Sequence, residues 1–134
     1  MNTLKIAIQK SGRLHDESIQ ILKDCGISVY NGNDQLKVTA SNFPLEVYYL
    51  RNSDIPQYLI DGVVDIAIVG DNLLVEKGQN IQIAEKLGFS KCKVSVAVPK
   101  NFNYNSIQDL NGLRVATSYP KTVVDYFSSK GISV

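Results

Sequence analysis

Apolar positions change their spacing several times along this chain, and each change marks a boundary between elements. Residues 4–8 (LKIAI) form a short apolar run interrupted by Lys5, which predicts a strand. Leu14, Ile19, Ile21, Leu22 and Cys25 then give an apolar helix face that stops at Gly26, with Asp16, Glu17 and Ser18 in the first turn. A turn signal, NGND at 31–34, precedes alternation over 36–40 and a β-rich run over 45–50 that includes Tyr48 and Tyr49, so two strands are expected. Asn52, Ser53 and Asp54 can cap a helix over 55–60, with Pro56 tolerated in its first turn.

The densest stretch is 61–72, DGVVDIAIVGDN. Residues 66–69 are apolar at every position, which predicts a strand covered on both faces of a parallel sheet. Gly70 allows a sharp turn, and Asp71 or Asn72 can cap a helix over LLVEK. Polar groups and free backbone N–H groups would then gather at the C-terminal end of a strand, where open α/β sheets bind ligands. Asp61 and Asp65, on either side of the approach to that strand, read as caps and terminators.

After a turn at 78–80, residues 81–88 and 93–98 both have strand patterns, and Pro99 closes the second. The Asn-rich stretch 100–105 divides the chain into a first α/β lobe, 1–99, and the start of a second, 100–134. In the second, Ser106 can cap IQDL, 113–116 reads as a strand, Pro120 opens a helix over 122–129 that Gly131 ends, and 132–134 begins another strand. The spacing of elements is that of an α/β protein.

Composition narrows the partners. Fourteen Lys and Arg against 13 Asp and Glu leave a net charge of +1, too small a field for nonspecific nucleic-acid binding. No apolar run approaches the about 20 residues that span a bilayer, and the N-terminus lacks the features of an export signal, so a cytoplasmic protein is expected. Cys25 and Cys92 have no CxxC spacing and read as separate buried thiols. His15 reads as an exposed first-turn residue; no second His or Cys stands at a ligand spacing, and a single histidine argues against a Ser-His-Asp device. Cations, by contrast, recur where strands give way to helices: Lys10 and Arg13 around a Ser-Gly turn, and Arg51 after the run 45–50. Arg51 alone also fits a structural partner of Asp54 or Asp71.

Four stretches, taken together and in order, resemble the ATP phosphoribosyltransferases that open histidine biosynthesis: IAIQKSGRL, LRNSDIPQYLIDGVVDIAIVGDN, LGFSKCKVSVAVP, and LNGLRVATSYP followed by a helix ending in KGI. The QKSGRL form is more similar to the long-form members, whose C-terminal regulatory domain binds the inhibitor histidine. The resemblance implies a two-lobed fold like the type II periplasmic binding proteins, with the first lobe nearly complete here and the second truncated. It implies transfer of a phosphoribosyl group from phosphoribosyl pyrophosphate to N1 of ATP, with Mg²⁺ accompanying the phosphates. Residue by residue, it places Arg51 and Lys10 in catalysis, with Arg51 facing the pyrophosphate leaving group. Gln9, Ser11, Gly12 and Arg13 would line the nucleotide and phosphate cleft. Asp71 and Asn72 stand in the family's GEN turn, with Asp for Glu. Thr117, Ser118 and Tyr119 would meet the nucleotide, Tyr119 by stacking on adenine.

The family's second-lobe phosphate loop, of the form DLVSTGxT, has no counterpart here, so an incomplete catalytic region without activity of its own is expected. A truncated lobe would leave strand edges and apolar surface that favour a homo-oligomer. Two other readings use the same residues: a small-molecule, amino-acid-type binding module of the solute-receptor fold, and a non-catalytic partner.

Overall fold

The computed structural model describes residues 2–30, 35–78 and 80–134; the NGND turn at 31–34 and Gln79 lie outside the described residues. The chain divides into two compact units, Met1–Lys91 and Cys92–Val134.

The first unit is built on four strands. They are β1 (Leu4–Gln9), β2 (Lys37–Thr39), β3 (Leu45–Leu50) and β4 (Ile66–Ala67), in the order β2-β3-β1-β4. β1 runs parallel to β3 and to β4, and β2 is antiparallel to β3, so the sheet is mixed. Helices α1 (Arg13–Asp24), α2 (Ile55–Ile60) and α3 (Asp71–Lys77) follow β1, β3 and β4. α2 is entered through a 3₁₀ turn over Asn52–Asp54, and Pro56 sits in its first turn.

Period-2 alternation sends each strand's side chains to two cores. Ile6 and Ile8 of β1 and Leu45, Val47 and Tyr49 of β3 pack with Ile19 and Leu22 of α1. Ala7, Tyr48, Leu50 and Ala67 pack on the other face with Ile55 of α2 and Val64. The result is three layers, with β1 buried between helices. Asp65 pins the start of β4 to β1 twice: its carboxylate accepts the Lys5 N–H at 2.8 Å, and its own N–H donates to the Lys5 carbonyl at 2.9 Å.

The strand expected over 66–69, covered on both faces, is shorter and more open. β4 spans two residues, the Ile68 N–H continues its ladder to the Ala7 carbonyl, and Ile66 is 42% exposed. It pairs with β1 on one side and has no described strand on the other. Gly70, extended at φ −78°, is the N-cap of α3, where Asp71 or Asn72 was expected; Asp71 takes the first helical position, its carboxylate at the positive end of the helix.

In the second unit a 3₁₀ turn over Ile107–Leu110 and helix α4 (Pro120–Ser129) close on a core of Leu110, Phe127 and Ile132. Ser106 precedes the turn as expected, and the Asp109 carboxylate reaches back to accept the Ser106 and Asn105 N–H groups at 3.0 and 2.8 Å. Tyr119 is the N-cap of α4, and Pro120 its first residue.

The strands expected over 81–88, 93–98, 113–116 and 132–134 do not form among the described residues. Their apolar alternation is present, but no ladder partner holds them: Val94 and Val96 are 58% and 54% exposed. Cys25 and Cys92, expected to be buried, are exposed thiols. Cys25 lies past the last buried turn of α1, as its C-cap, and Cys92 begins the unpaired 92–98 segment. No helix among the described residues is long and apolar enough to cross a membrane.

Candidate functional site

Parallel strands end on the same side of a sheet, and three of them end together here. In the β1–β3 register Gln9 pairs with Leu50, and the Lys10 N–H donates to the Leu50 carbonyl at 2.8 Å. Lys10 and Arg51 are therefore the first residues past the ends of two neighbouring parallel strands. β4, on the other side of β1, runs out into Val69, Gly70, Asp71 and Asn72 at the same edge. The fold thus brings Gln9, Lys10, Ser11, Gly12, Arg13, Arg51, Asp71 and Asn72 to one rim of the first unit.

The turn from β1 to α1 depends on Gly12, whose φ of +91° is costly for any residue with a Cβ. Arg13 opens α1, and its guanidinium donates to the Lys91 carbonyl at 3.2 Å. Lys10, Ser11, Gly12, Arg13 and Arg51 are exposed, whereas Gln9 is half-buried. No carboxylate among the described residues pairs with Lys10, Arg13 or Arg51, so neither Asp54 nor Asp71 is a structural partner for Arg51. Three cations at one edge, none of them in an ion pair with a carboxylate among the described residues, favour an anion. Two depressions of about 510 Å³ on the described surface, around Pro56 and Tyr58 and around Ile27 and Tyr30, include none of these residues.

At the β4 end, the Asn72 side chain folds back over Gly70. A Cβ built on Gly70 would lie 2.8 Å from Asn72 Oδ1, so this glycine leaves room for a neighbour's side chain and its own φ is ordinary. Asn72 is half-buried and Asp71 exposed. Thr117, Ser118 and Tyr119 belong to the second unit, where the Tyr119 N–H donates to Thr117 Oγ1 at 2.9 Å ahead of α4. Thr117 and Ser118 are exposed, and Tyr119 is half-buried.

Behind the rim lies a pair that the sequence reading did not single out. His15, expected on the surface, is 8% exposed; its Nδ1 is 2.9 Å from the Gln9 carbonyl, and its ring lies 5.6 Å from that of Tyr49. The Tyr49 hydroxyl is buried without a hydrogen-bond partner, and burial pushes its pKa upward. The signal was present: His15, Ser18, Ile19 and Leu22 follow the i, i+3, i+4, i+7 spacing of one helix stripe, and all four are buried. The Asn52 Oδ1, next to Arg51, is likewise buried without a partner.

The mixed sheet flanked by helices places the first unit in the α/β class, whose open sheets take ligands at the C-terminal ends of parallel strands. The family model for HisG, ATP phosphoribosyltransferase, matches residues 51–134. The chain belongs to the ATP phosphoribosyltransferase family. An ATP phosphoribosyltransferase of Cytophaga hutchinsonii is 50% identical over 129 residues, covering 96% of this chain and 45% of that protein. That of Parabacteroides distasonis is 43% identical over 129 residues, 96% of this chain and 46% of the relative. The chain thus spans about half the length of the curated relatives it matches. A solved complex of ATP phosphoribosyl transferase, HisG with HisZ, from Thermotoga maritima shares the fold at a TM-score of 0.56 and 23% identity, over 97% of this chain and 61% of that one.

Proposed function

We propose that this chain is the N-terminal catalytic region of an ATP phosphoribosyltransferase in histidine biosynthesis. The observation that carries the reading is the convergence of Lys10, Arg13 and Arg51, free of carboxylate partners, on one edge of parallel strands. ATP and phosphoribosyl pyrophosphate would be the substrates. As the bond to adenine N1 forms, the bond from the anomeric carbon to pyrophosphate breaks, and negative charge grows on the departing oxygens. Adenine N1 is an unprotonated nucleophile at neutral pH, so the protein's work is positioning and charge stabilisation. Arg51, able to hold two phosphate oxygens at once, faces the leaving pyrophosphate, with Lys10 beside it. Gln9, Ser11, Gly12, Arg13, Asp71 and Asn72 line the nucleotide and phosphate cleft.

Mg²⁺ would arrive with the phosphates. No cluster of three or more His, Cys, Asp or Glu among the described residues is arranged to hold a metal, and Asp71 is the one carboxylate of the candidate set. That donor set suits Mg²⁺ bound mostly by phosphate oxygens and water. Thr117, Ser118 and Tyr119 would contact the nucleotide from the second lobe of a periplasmic-binding-protein-like pair, with residues 1–99 in the first lobe and 100–134 opening the second. Self-association is expected of the exposed apolar segments that carry Val94 and Val96.

A calorimetric titration of the chain with ATP and Mg²⁺, compared with a pool of free amino acids, tests the reading. Saturable binding of ATP supports it; binding of an amino acid in preference to ATP would establish the solute-receptor alternative instead.

A further inference from the structure

Gln9 ends β1, and its carbonyl would otherwise stand unpaired at the strand end. The His15 Nδ1 lies 2.9 Å away in a part-buried position. A carbonyl only accepts, so Nδ1 carries the proton. The bond ties the third residue of α1 back to the last residue of β1, closing a short loop with Lys10, Ser11, Gly12 and Arg13 at its tip. The ring meanwhile lies tilted by 47° against Tyr49, which is 3% exposed and stands two residues before Arg51 on β3. One buried side chain therefore touches both strands whose ends carry Lys10 and Arg51.

We propose that His15 is a positioning residue that sets the 10–13 turn against the end of β3, and so fixes the spacing of the two cations for a pyrophosphate group. The assignment of pyrophosphate rests on the function proposed above; the clamp itself does not. His15 touches no substrate. It acts by restricting a glycine-containing turn that would otherwise sample many conformations, which lowers the entropy lost on binding an anion.

The test uses the 134-residue chain, His15→Phe and His15→Asn. Phenylalanine keeps the ring against Tyr49 and removes the donor; the asparagine amide places an N–H near the position of Nδ1. Two amides bracket the turn, Lys10 bonded to the Leu50 carbonyl and Asp16 bonded to the Gly12 carbonyl. In His15→Phe their hydrogen exchange should rise by about tenfold or more while the Ile6 and Val47 amides stay protected, and inorganic pyrophosphate should bind about tenfold more weakly. His15→Asn should restore both to within about threefold of the parent.

Unchanged exchange at Lys10 and Asp16 in His15→Phe would overturn the proposal. So would a His15→Asn chain that folds yet shows the loosened turn. If the parent itself ignores pyrophosphate, the reading of function fails, and the exchange data still decide the clamp.

Discussion

The Lys10 N–H donates to the Leu50 carbonyl at 2.8 Å, the last ladder bond of the parallel β1–β3 pair. It fixes the backbone beneath two cations, Lys10 and Arg51, that follow paired strand ends although they lie far apart in sequence. Neither is held by a carboxylate, so a phosphate group meets charges that no internal partner competes for.

Replacing Arg51 should separate binding from stability. Arg51→Ala removes an exposed side chain, so unfolding in urea should shift by no more than about 0.5 kcal/mol. Affinity for phosphoribosyl pyrophosphate with Mg²⁺ should fall by about 1.5–3 kcal/mol, the range of a charge-assisted hydrogen bond. Arg51→Lys should recover only part of it, because an ammonium lacks the two-pronged geometry. Urea unfolding and calorimetric titration of the three chains read the two quantities.

Gly70→Ala tests the seat of Asn72. The backbone there is ordinary, but the new methyl would approach Asn72 Oδ1 at 2.8 Å and turn that side chain away. Stability should change by less than about 1 kcal/mol, since the clash is with a movable side chain. Nucleotide affinity should fall as much as in Asn72→Ala, and the double variant should fall no further. Additive losses would separate the two residues.

Asp65 is a structural tie. Its paired bonds with Lys5 hold β4 to β1 at the end opposite the candidate site. Asp65→Ala should cost about 1 kcal/mol in urea unfolding and leave ligand affinity unchanged. A loss of affinity without loss of stability would move Asp65 into the functional set.

How much was legible in the sequence differs between the two units. Strands over 36–40 and 45–50 and helices after β1, β3 and β4 follow from local pattern, and the structure has them within a residue or two at most ends. Residues 93–98 carry an equally clear strand pattern, yet they form no ladder, because a strand also needs a partner that local sequence does not specify. The rim was legible as cations and glycines after strands. Its geometry was not: that β1 lies between β3 and β4, bringing Lys10 beside Arg51, comes from strand order. His15 was misread because a titratable side chain in a first turn reads as solvated, while its helical spacing from Ile19 and Leu22 already placed it on the buried stripe.

Asp109 gives the second unit a pH response. The backbone N–H groups of Asn105, then Ser106, stabilise its carboxylate and hold its pKa below the ordinary value. A depressed folded pKa means that this tie is complete above the unfolded pKa, about 3.9, and is lost as pH falls through the lower folded value. The Asn105 and Ser106 amide resonances should therefore stay constant from neutral pH to about pH 4 and move only below it, and Asp109→Asn should abolish that movement. A midpoint above pH 4 would contradict the capping assignment.

The most direct measurement is a calorimetric titration of the chain, and of a Lys10→Ala, Arg51→Ala double variant, with phosphoribosyl pyrophosphate and Mg²⁺. Saturable binding to the parent, weakened about 100-fold or more in a double variant that keeps the parent's unfolding midpoint, is the expected result. Equal affinity of the two chains would contradict the claim that the shared edge of β1 and β3 is the phosphate site.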